Sequence, residues 1–170
     1  MQKRVIYDRE GHAHYVTFSC YKRRRLLDAY KAKQIVIEVL NSELVKSNGK
    51  CAGLVVMPDH VHAVLWFSES DQLSKFMKQW KQRSSVKIKK LMKNDLPNYF
   101  STTSEQDPVW QPRYYSFNIF SMNKLQEKIS YMRENPVRAG LVAHPGDWAF
   151  SSAAFYLSGK SVGVPIESPG

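Results

Sequence analysis

The stretch VVMPDHVHAVLWF, residues 55–67, sets the architecture of this chain. Its flanking segments, CAGLVVM over 51–57 and HVHAVLWF over 60–67, predict two β-strands. The residues between them, Pro58 and Asp59, predict a tight turn, so the two strands form a hairpin. Because side chains alternate between the faces of a strand, His60 and His62 project to one face and Val61 to the other.

The two histidines have two interpretations. Two neutral imidazoles on one face of a strand can share a metal ion. Alternatively, each ring is a buried polar group that only needs a hydrogen-bond partner within the fold. His60 and His62 alone leave both interpretations open. His12 and His14 have the same spacing, but they lie in the polar stretch DREGHAHY, which predicts a solvated turn before a strand, and we assign them no metal.

The other elements follow from apolar periodicity and turn residues. We predict strands over 13–21 and 113–120 and a flexible loop over 94–108. We predict a helix over about 30–46 and a basic helix over about 71–92. A last helix is capped by Ser121 or Asn123 and is ended by Pro136. The order βαββαβ plus a further helix predicts an α+β fold with a ferredoxin-like antiparallel sheet. The first and third strands are then central neighbours, which places the two histidines in mid-sheet.

The length and composition limit the class of protein. We expect one domain over 1–170, with a core over about 13–152 and a C-terminal tail over 153–170. The run DWAFSSAAFY, residues 147–156, predicts a packing arm, and the Gly, Ser and Pro rich end after it predicts a loose tail. Cys20 and Cys51 are too few for a zinc ribbon or a disulfide framework, so we expect reduced thiols. No segment is apolar enough to cross a bilayer, and the first residues lack the core of a signal peptide. We therefore expect a soluble cytoplasmic protein.

The charge indicates a polyanionic partner. The chain has 25 Lys and Arg against 15 Asp and Glu, a formal charge of +10. The segment 73–93 has eight basic residues and no acidic one, and Lys22 to Arg25 form a second basic cluster. Each cluster alone could be a solvated face. Interleaved Phe76 and Trp80 favour nucleic acid over a membrane surface, and with it association with the nucleoid.

The last predicted helix, NKLQEKISYMRENP, carries a second polar feature. Its apolar face consists of Leu125, Ile129 and Met132. Glu127, Tyr131 and Asn135 recur every four residues on a different face. If the helix crosses the sheet, the amide oxygen of Asn135 reaches a metal held by the histidines, and the Tyr131 hydroxyl lies beside it. Spacing alone also allows a surface tyrosine, and it leaves Tyr114 and Tyr115 as alternatives.

Four segments together resemble the REP-associated tyrosine transposases, relatives of the single-strand insertion-sequence transposases within the HUH endonuclease superfamily. They are the HVH triplet after a hairpin, WQPRYYSF, YMRENPVRAGLV and DWAFSS. The resemblance extends from about Tyr15 to Ser152. It implies that His60, His62 and Asn135 are metal ligands and that Tyr131 is the nucleophile.

The resemblance also implies an activity and its partners. The activity is that of a metal-dependent single-stranded DNA endonuclease and strand transferase, which acts at hairpin-flanked sites through a 5′-phosphotyrosine intermediate. The cofactor is a divalent metal ion, Mg²⁺ or Mn²⁺, and the partner is single-stranded DNA with hairpin structure. Trp110, Gln111 and Arg113 match a family segment with a structural or DNA-contacting role. The DNA-binding candidates are Lys22, Arg23, Arg24, Arg25, Lys78, Lys81, Arg83, Lys87, Arg113 and Arg133.

Two other functions are compatible with the same residues. One is a noncatalytic nucleic-acid-binding module that stacks bases on Tyr15, Phe18 and Trp66. The other is a metal-dependent nuclease that uses water as its nucleophile. The sequence also leaves open whether Tyr131 serves the metal site of its own subunit or of a partner, so a homodimer and a monomer are both compatible with it.

Overall fold

A computed structural model of the chain describes residues 12–95 and 106–167. Within them the β-strands are β1 (His12–Ser19), β2 (Lys50–Val56), β3 (His60–Phe67) and β4 (Tyr115–Ile119). The α-helices are α1 (Tyr30–Ser47), α2 (Leu73–Asp95), α3 (Met122–Arg138) and α4 (Ala153–Ser158). Short 3-10 turns occupy Tyr21–Arg23 and Pro145–Asp147. No helix in the described residues is long and apolar enough to span a membrane.

The strands form one antiparallel sheet in the order β2-β3-β1-β4. This confirms the predicted α+β class and the ferredoxin-like strand order, with β1 and β3 as central neighbours. Along that central pair, Ser19 lies opposite His60 and Thr17 lies opposite His62. The register therefore determines which β1 side chains adjoin the two histidines.

Helices α1 and α2 cover one face of the sheet. The indole N–H of Trp80, on α2, donates a hydrogen bond of 2.9 Å to the carbonyl of Val36, on α1. The Trp80 ring also packs edge-on against Phe18 of β1, with 4.8 Å between the ring centroids. The buried α1 side chains are spaced three or four residues apart, as an amphipathic helix requires, and include Val36, Val39, Leu40 and Leu44.

Helix α3 covers the opposite face. It begins as predicted after Ser121, whose hydroxyl oxygen accepts a hydrogen bond of 3.1 Å from the Lys124 amide. The predicted end at Pro136 is wrong, because the helix continues to Arg138. Pro136 lacks the N–H that would bond the Met132 carbonyl, but it is buried and lies in the last turn, where tertiary packing outweighs one lost bond.

Strand pairing corrects the expectation for the first histidine pair. The solvated turn predicted for His12 is wrong, since β1 begins there, and His14 lies in β1, as the strand predicted over 13–21 requires, with its Nδ1 2.9 Å from Asn118 Oδ1 on β4. Pairing with strands on both sides outweighs the polar local sequence. The basic helix begins at Leu73 and ends at Asp95, so both of its ends lie later in the chain than predicted. Most of the loop predicted over 94–108 lies outside the described residues.

The C-terminal segment packs along the sheet beyond the predicted packing arm, so the loose tail expected after residue 156 is wrong for its described part. The backbone N–H of Ser152 donates to the Leu54 carbonyl at 2.8 Å, and that of Glu167 donates to the Cys51 carbonyl at 2.9 Å. The outer edge of β2 is thereby covered by later parts of the chain, which protects an otherwise open sheet edge. The apolar side chains buried along this segment are Val162, Val164 and Ile166.

Candidate metal and nucleophile site

His62 is held in the sheet by two hydroxyl groups of β1. Its Nδ1 lies 2.7 Å from the Tyr15 hydroxyl and 2.8 Å from that of Thr17. The other ring nitrogen, Nε2, is buried and has no hydrogen-bond partner among the residues that the structure describes. A buried polar atom without a partner indicates a missing ligand, because native structures satisfy such atoms with few exceptions.

The His62 ring is neutral at physiological pH. Burial, reinforced by the neighbouring charge of His60, lowers the pKa of His62 to about 3. Of the two neutral tautomers, the one with its proton on Nδ1, where either hydroxyl oxygen can accept it, has the lone pair on Nε2. This is the protonation state that a metal ligand requires.

His60 lies beside His62, and its Nε2 atom faces α3. The two ring centroids are 4.7 Å apart and the rings are nearly perpendicular, at 85°. His60 Nδ1 lies 2.7 Å from Asp59 Oδ1, and its Nε2 lies 3.4 Å from Asn135 Nδ2. A half-turn of the Asn135 amide places its oxygen at the same position. The site therefore offers two imidazole nitrogens and one amide oxygen.

This donor set fits a divalent ion. In the described part of the chain, no three His, Cys, Asp or Glu side chains converge, so a closed zinc site is not formed there. Two imidazoles and one hard oxygen, with open positions for water and phosphate, suit Mn²⁺ or Mg²⁺. The residues present thus fit the ion that the sequence resemblance implies.

Tyr131 lies next to His62 of the same chain. The two ring centroids are 5.6 Å apart with the rings perpendicular, at 87°, and the Tyr131 side chain is 48% exposed. The Arg138 guanidinium lies 4.4 Å over the Tyr131 ring and donates a hydrogen bond of 2.7 Å to the Tyr131 carbonyl. The phenol is therefore held between the histidine site and solvent, where a large substrate can reach it.

The other tyrosines near the sheet have different environments. Tyr15 is 5% exposed, and burial raises the pKa of its phenol. Tyr115 is exposed, but its ring packs edge-on against the Tyr15 ring, with 6.4 Å between the ring centroids, and not against His62. Tyr114 packs against the core on the α1 and α2 side. Of the tyrosines considered from the sequence, Tyr131 alone combines exposure with a ring contact to His62 in the described residues.

The basic cluster Lys22 to Arg25 is mostly paired with carboxylates. Arg23 bonds Asp59, Arg24 contacts Asp107 at 3.3 Å, and Arg25 contacts Asp28 at 3.0 Å. The Lys22 side chain is exposed, and its backbone N–H donates to Gln111 at 3.2 Å. The cluster lies beside the histidines, since the Cys20 amide donates to the Asp59 carbonyl at 2.8 Å.

The candidates on α2 lie across the sheet from the histidines. Lys78 and Lys87 are exposed. Lys81 donates hydrogen bonds to the carbonyls of Gln111 and Arg113, and burial lowers its pKa. The remaining α2 candidate, Arg83, pairs with Glu43 of α1. Two of the four candidates thus have structural partners.

The segment WQPRYYSF, residues 110–117, and Arg133 divide between core and surface. Trp110 is buried, packs edge-on against Phe18 at 4.7 Å between centroids, and donates from its indole N–H to Ser84 Oγ at 3.0 Å. Arg113 is exposed. Arg133, on α3, is half-buried and lies 3.8 Å from Glu134. These placements leave Arg113 accessible to DNA and give Trp110 a packing role.

Sequence reasoning missed the residues that support the site. Tyr15 and Thr17 hold His62, Asp59 holds His60, and Arg138 covers the Tyr131 ring. Alternation along β1 places Tyr15 and Thr17 on one face, but only the β1 and β3 register places them against His62. Asp59 was visible as a neighbour of His60, yet a turn residue gives no signal of where its carboxylate points.

Comparison with known proteins agrees with this geometry. The family described as "Transposase IS200 like" matches residues 9–135, which include both histidines, Tyr131 and Asn135. The chain belongs to this family of transposases, enzymes that act on DNA.

One curated protein of similar sequence is also a transposase. A REP-associated tyrosine transposase of Escherichia coli strain K12 is 29% identical over 98 residues, which are 58% of this chain and 50% of that protein. The match thus spans about half the length of the curated relative.

Two solved structures share the fold. A REP-associated tyrosine transposase bound to a REP hairpin has a TM-score of 0.67 at 19% identity, covering 94% of this chain and 88% of that one. A protein described as a transposase from Deinococcus radiodurans has a TM-score of 0.53 at 18% identity, covering 73% and 90%.

Proposed function

We propose that this chain is a metal-dependent single-stranded DNA endonuclease and strand transferase that acts at hairpin-flanked sites through a 5′-phosphotyrosine on Tyr131. One observation carries the proposal: an exposed tyrosine ring lies 5.6 Å from the ring of His62, whose buried Nε2 lacks a partner among the described residues. Family membership supports transposase chemistry. A solved relative in fold is bound to a REP hairpin, which supports hairpin DNA as the partner.

The proposed metal ligands are the Nε2 atoms of His60 and His62 and the amide oxygen of Asn135. A divalent ion bound there would polarise a non-bridging phosphate oxygen and stabilise the charge that develops as the phosphate is attacked. The chain's own contribution is to hold both rings through their Nδ1 atoms, so that their Nε2 atoms are left for the ion, and burial lowers the pKa of His62 to about 3.

Tyr131 is the proposed nucleophile. Its phenol oxygen forms a bond to phosphorus as the bond from phosphorus to the 3′ oxygen of the preceding nucleotide breaks. The phenol proton is released, and the departing 3′ oxygen takes up a proton to become a free 3′-hydroxyl. The phosphodiester energy is kept in the phosphotyrosine link, so attack by another 3′-hydroxyl joins strands without a nucleotide cofactor.

The DNA surface is proposed to include the exposed basic residues at the histidine end of the sheet. Gln111 lies at this end, because its backbone N–H donates to the Ser19 carbonyl at 2.9 Å. The Lys22 backbone N–H donates to the Gln111 side chain, and Arg113 follows Gln111 by two residues, so both lie close by. Lys78 and Lys87, on the opposite layer, are proposed to contact phosphates farther along the hairpin. The paired residues Arg24, Arg25, Lys81 and Arg83 are weaker candidates for direct contact, because each already has a protein partner. Arg133 stays a candidate, since it lies 3.8 Å from Glu134 but its buried Nε has no hydrogen-bond partner among the described residues.

The test uses hairpin DNA with a single-stranded flank and a label at the 3′ end. A 5′-phosphotyrosine retains the fragment on the 3′ side of the cut, so only this label follows the adduct. We expect a protein-linked band on a denaturing gel with Mn²⁺ or Mg²⁺ and none with a chelator. Tyr131→Phe should abolish the adduct, while Tyr115→Phe, which removes another exposed hydroxyl near the same face, should retain it.

The other outcomes separate the alternatives. Cleavage without an adduct, unaffected by Tyr131→Phe, would support the water-using nuclease. Binding without cleavage would support the noncatalytic module. That module is disfavoured by burial, because Tyr15 and Phe18 are 5% and 1% exposed and Trp66, the third proposed stacking residue, is itself partly buried.

A further inference from the structure

A carboxylate from the hairpin turn lies behind His60. Asp59 Oδ1 is 2.7 Å from His60 Nδ1, the ring nitrogen on the side away from Asn135. An ionised carboxylate can only accept a hydrogen bond, so this contact places the proton on Nδ1. In the neutral form of the ring the lone pair is then on Nε2, which faces α3. The Asp59 contact therefore selects the tautomer that can bind a metal through Nε2.

Arg23 holds the same carboxylate from its other oxygen. Its Nε and Nη2 atoms are each 3.1 Å from Asp59 Oδ2, and its Nη1 is 3.2 Å from Ser19 Oγ. The guanidinium thus makes two contacts to one carboxylate and a third to the end of β1. This fixes the direction in which Asp59 presents its remaining oxygen to His60.

The backbone around Arg23 is tied to the turn that carries Asp59. The Cys20 amide donates to the Asp59 carbonyl at 2.8 Å, and the Leu27 amide donates to the Pro58 carbonyl at 2.9 Å. Arg23 itself has a φ of 56°, in the left-handed region that a non-glycine residue adopts only when its surroundings hold it there. The position of Arg23 is therefore set by the fold.

The two histidines differ in this respect. His62 is oriented by the neutral hydroxyls of Tyr15 and Thr17, whereas His60 is oriented by a charged carboxylate that an arginine holds in turn. Either hydroxyl can donate or accept, so it does not dictate a tautomer. Of the two histidines, only His60 has a partner, the Asp59 carboxylate, that dictates which ring nitrogen carries the proton.

We infer that Asp59 and Arg23 are positioning residues for the metal site: Asp59 fixes the tautomer and ring orientation of His60, and Arg23 fixes Asp59. The inference rests on the proposed function, since it concerns the same metal site. It gives Arg23 a role distinct from its predicted role in DNA contact. It also explains why one member of the basic cluster lies against the hairpin turn.

The first test is Asp59→Asn in full-length protein without DNA. Histidine ¹⁵N chemical shifts of the metal-free protein should show His60 as the Nδ1-protonated tautomer in the wild type and as a mixture in the variant, because an asparagine amide can also donate to Nδ1. Titration calorimetry with Mn²⁺ alone should show affinity reduced about 10- to 100-fold. Circular dichroism should show an unchanged fold.

The second test compares two arginines of the same cluster. Arg23→Gln and Arg25→Gln each remove one positive charge, but Arg25 pairs with Asp28 and not with Asp59. We expect Arg23→Gln to weaken Mn²⁺ binding and broaden the His60 tautomer distribution, and Arg25→Gln to change neither. Equal Mn²⁺ affinities for the two variants would overturn the role of Arg23.

The outcomes distinguish this inference from the proposed function. If the wild type does not bind Mn²⁺, the metal-dependent function is wrong, and the nitrogen shifts of the metal-free protein still test the tautomer. If the wild type binds Mn²⁺ and Asp59→Asn binds it equally, with the same His60 tautomer, the positioning inference is wrong and the proposed function stands.

Discussion

The two faces of β3 come from one strand but bury different kinds of groups. Val61, Ala63, Leu65 and Phe67 point toward α1 and α2 and are fully buried in an apolar core. His60 and His62 point toward α3, where the hydroxyls of β1 surround His62 and a smaller apolar cluster completes the layer. Adjacent residues of the same strand therefore have opposite environments.

The comparison shows how one sheet combines stability with chemistry. Apolar burial on the first face supplies the folding free energy, at about 25 cal/mol for each Å² removed from water. On the second face a buried nitrogen of His62 is kept free of partners within the described residues, an arrangement that costs stability and that only ligand binding would offset. Substitutions on the two faces should therefore separate activity from stability.

The largest effect is expected on the histidine face, from His62→Ala. The substitution removes one proposed ligand, and the loss of metal assistance should reduce DNA cleavage by about 10³-fold or more, since a metal contributes several kcal/mol to the transition state. Single-turnover cleavage with 3′-labelled hairpin DNA measures it.

The matched control is the neighbouring residue, Val61→Ala. This side chain is fully buried on the core face, so the free energy of unfolding should fall by about 1–3 kcal/mol while cleavage by the folded fraction stays near that of the wild type. Equal loss of cleavage in both variants would contradict the division between the faces.

The next largest effect is expected in the core, from Trp80→Ala. The indole is fully buried between α1 and the sheet and satisfies the Val36 carbonyl, so its loss should reduce the free energy of unfolding by about 3–5 kcal/mol. Urea denaturation followed by circular dichroism measures it. Lys78→Ala, on the exposed side of the same helix, should change stability by less than about 0.5 kcal/mol.

Glycines on the two faces provide a smaller and sharper comparison. A Cβ at Gly49 would lie 2.9 Å from the buried Phe67 ring, whereas a Cβ at Gly53 would lie 2.6 Å from Cε of Met132 on α3. The Phe67 ring is fully buried and has little room to move away from an added methyl group, whereas the flexible end of the Met132 side chain can turn aside. Gly49→Ala should therefore cost about 2–3 kcal/mol and Gly53→Ala about 1 kcal/mol in unfolding experiments.

Gly53→Ala has a second expected consequence, because Met132 directly follows Tyr131. A small shift of α3 should slow cleavage more than the stability change explains, and adding Met132→Leu, which removes Cε, should restore part of the rate. An unaltered cleavage rate in Gly53→Ala would show that α3 can move away from β2 without disturbing the nucleophile.

The smallest effect concerns the two cysteines of the core face. Cys20 and Cys51 are buried, and burial raises the pKa of each thiol to about 12. The reactive thiolate is therefore scarce at about pH 8, and a thiol reagent should react with the native protein only as it unfolds. Absorbance assays in buffer and in denaturant measure this, and rapid reaction of either thiol in buffer would show that its part of the core opens readily.

Much of the fold was predictable because its signals are local. The hairpin around Pro58 and the alternation of β3 follow from turn chemistry and a two-residue period. The cap at Ser121 was also predicted. The helix end at Pro136 was not, because burial of the last turn outweighs a local preference. Packing of the chain after residue 156 was missed because its partner strand, β2, is distant in sequence.

The candidate site was predictable only in part. The two-residue spacing of His60 and His62 and the four-residue spacing of Tyr131 and Asn135 define one strand face and one helix face. Their meeting depends on α3 crossing the sheet, which placed the Asn135 amide 3.4 Å from His60. The metal, nucleophile and DNA-contact assignments stay predictions for the experiments above to test.

The sequence established the class of fold, the basic character of the chain and the residues with suitable chemistry, because periodicity, charge and residue type are properties of neighbouring positions. The folded structure established which of those residues meet: Tyr131 with His62 in one chain, and Arg23 with Asp59 behind His60. These contacts join residues far apart in sequence, and they depend on strand register and helix packing, which are set by the burial of the whole core.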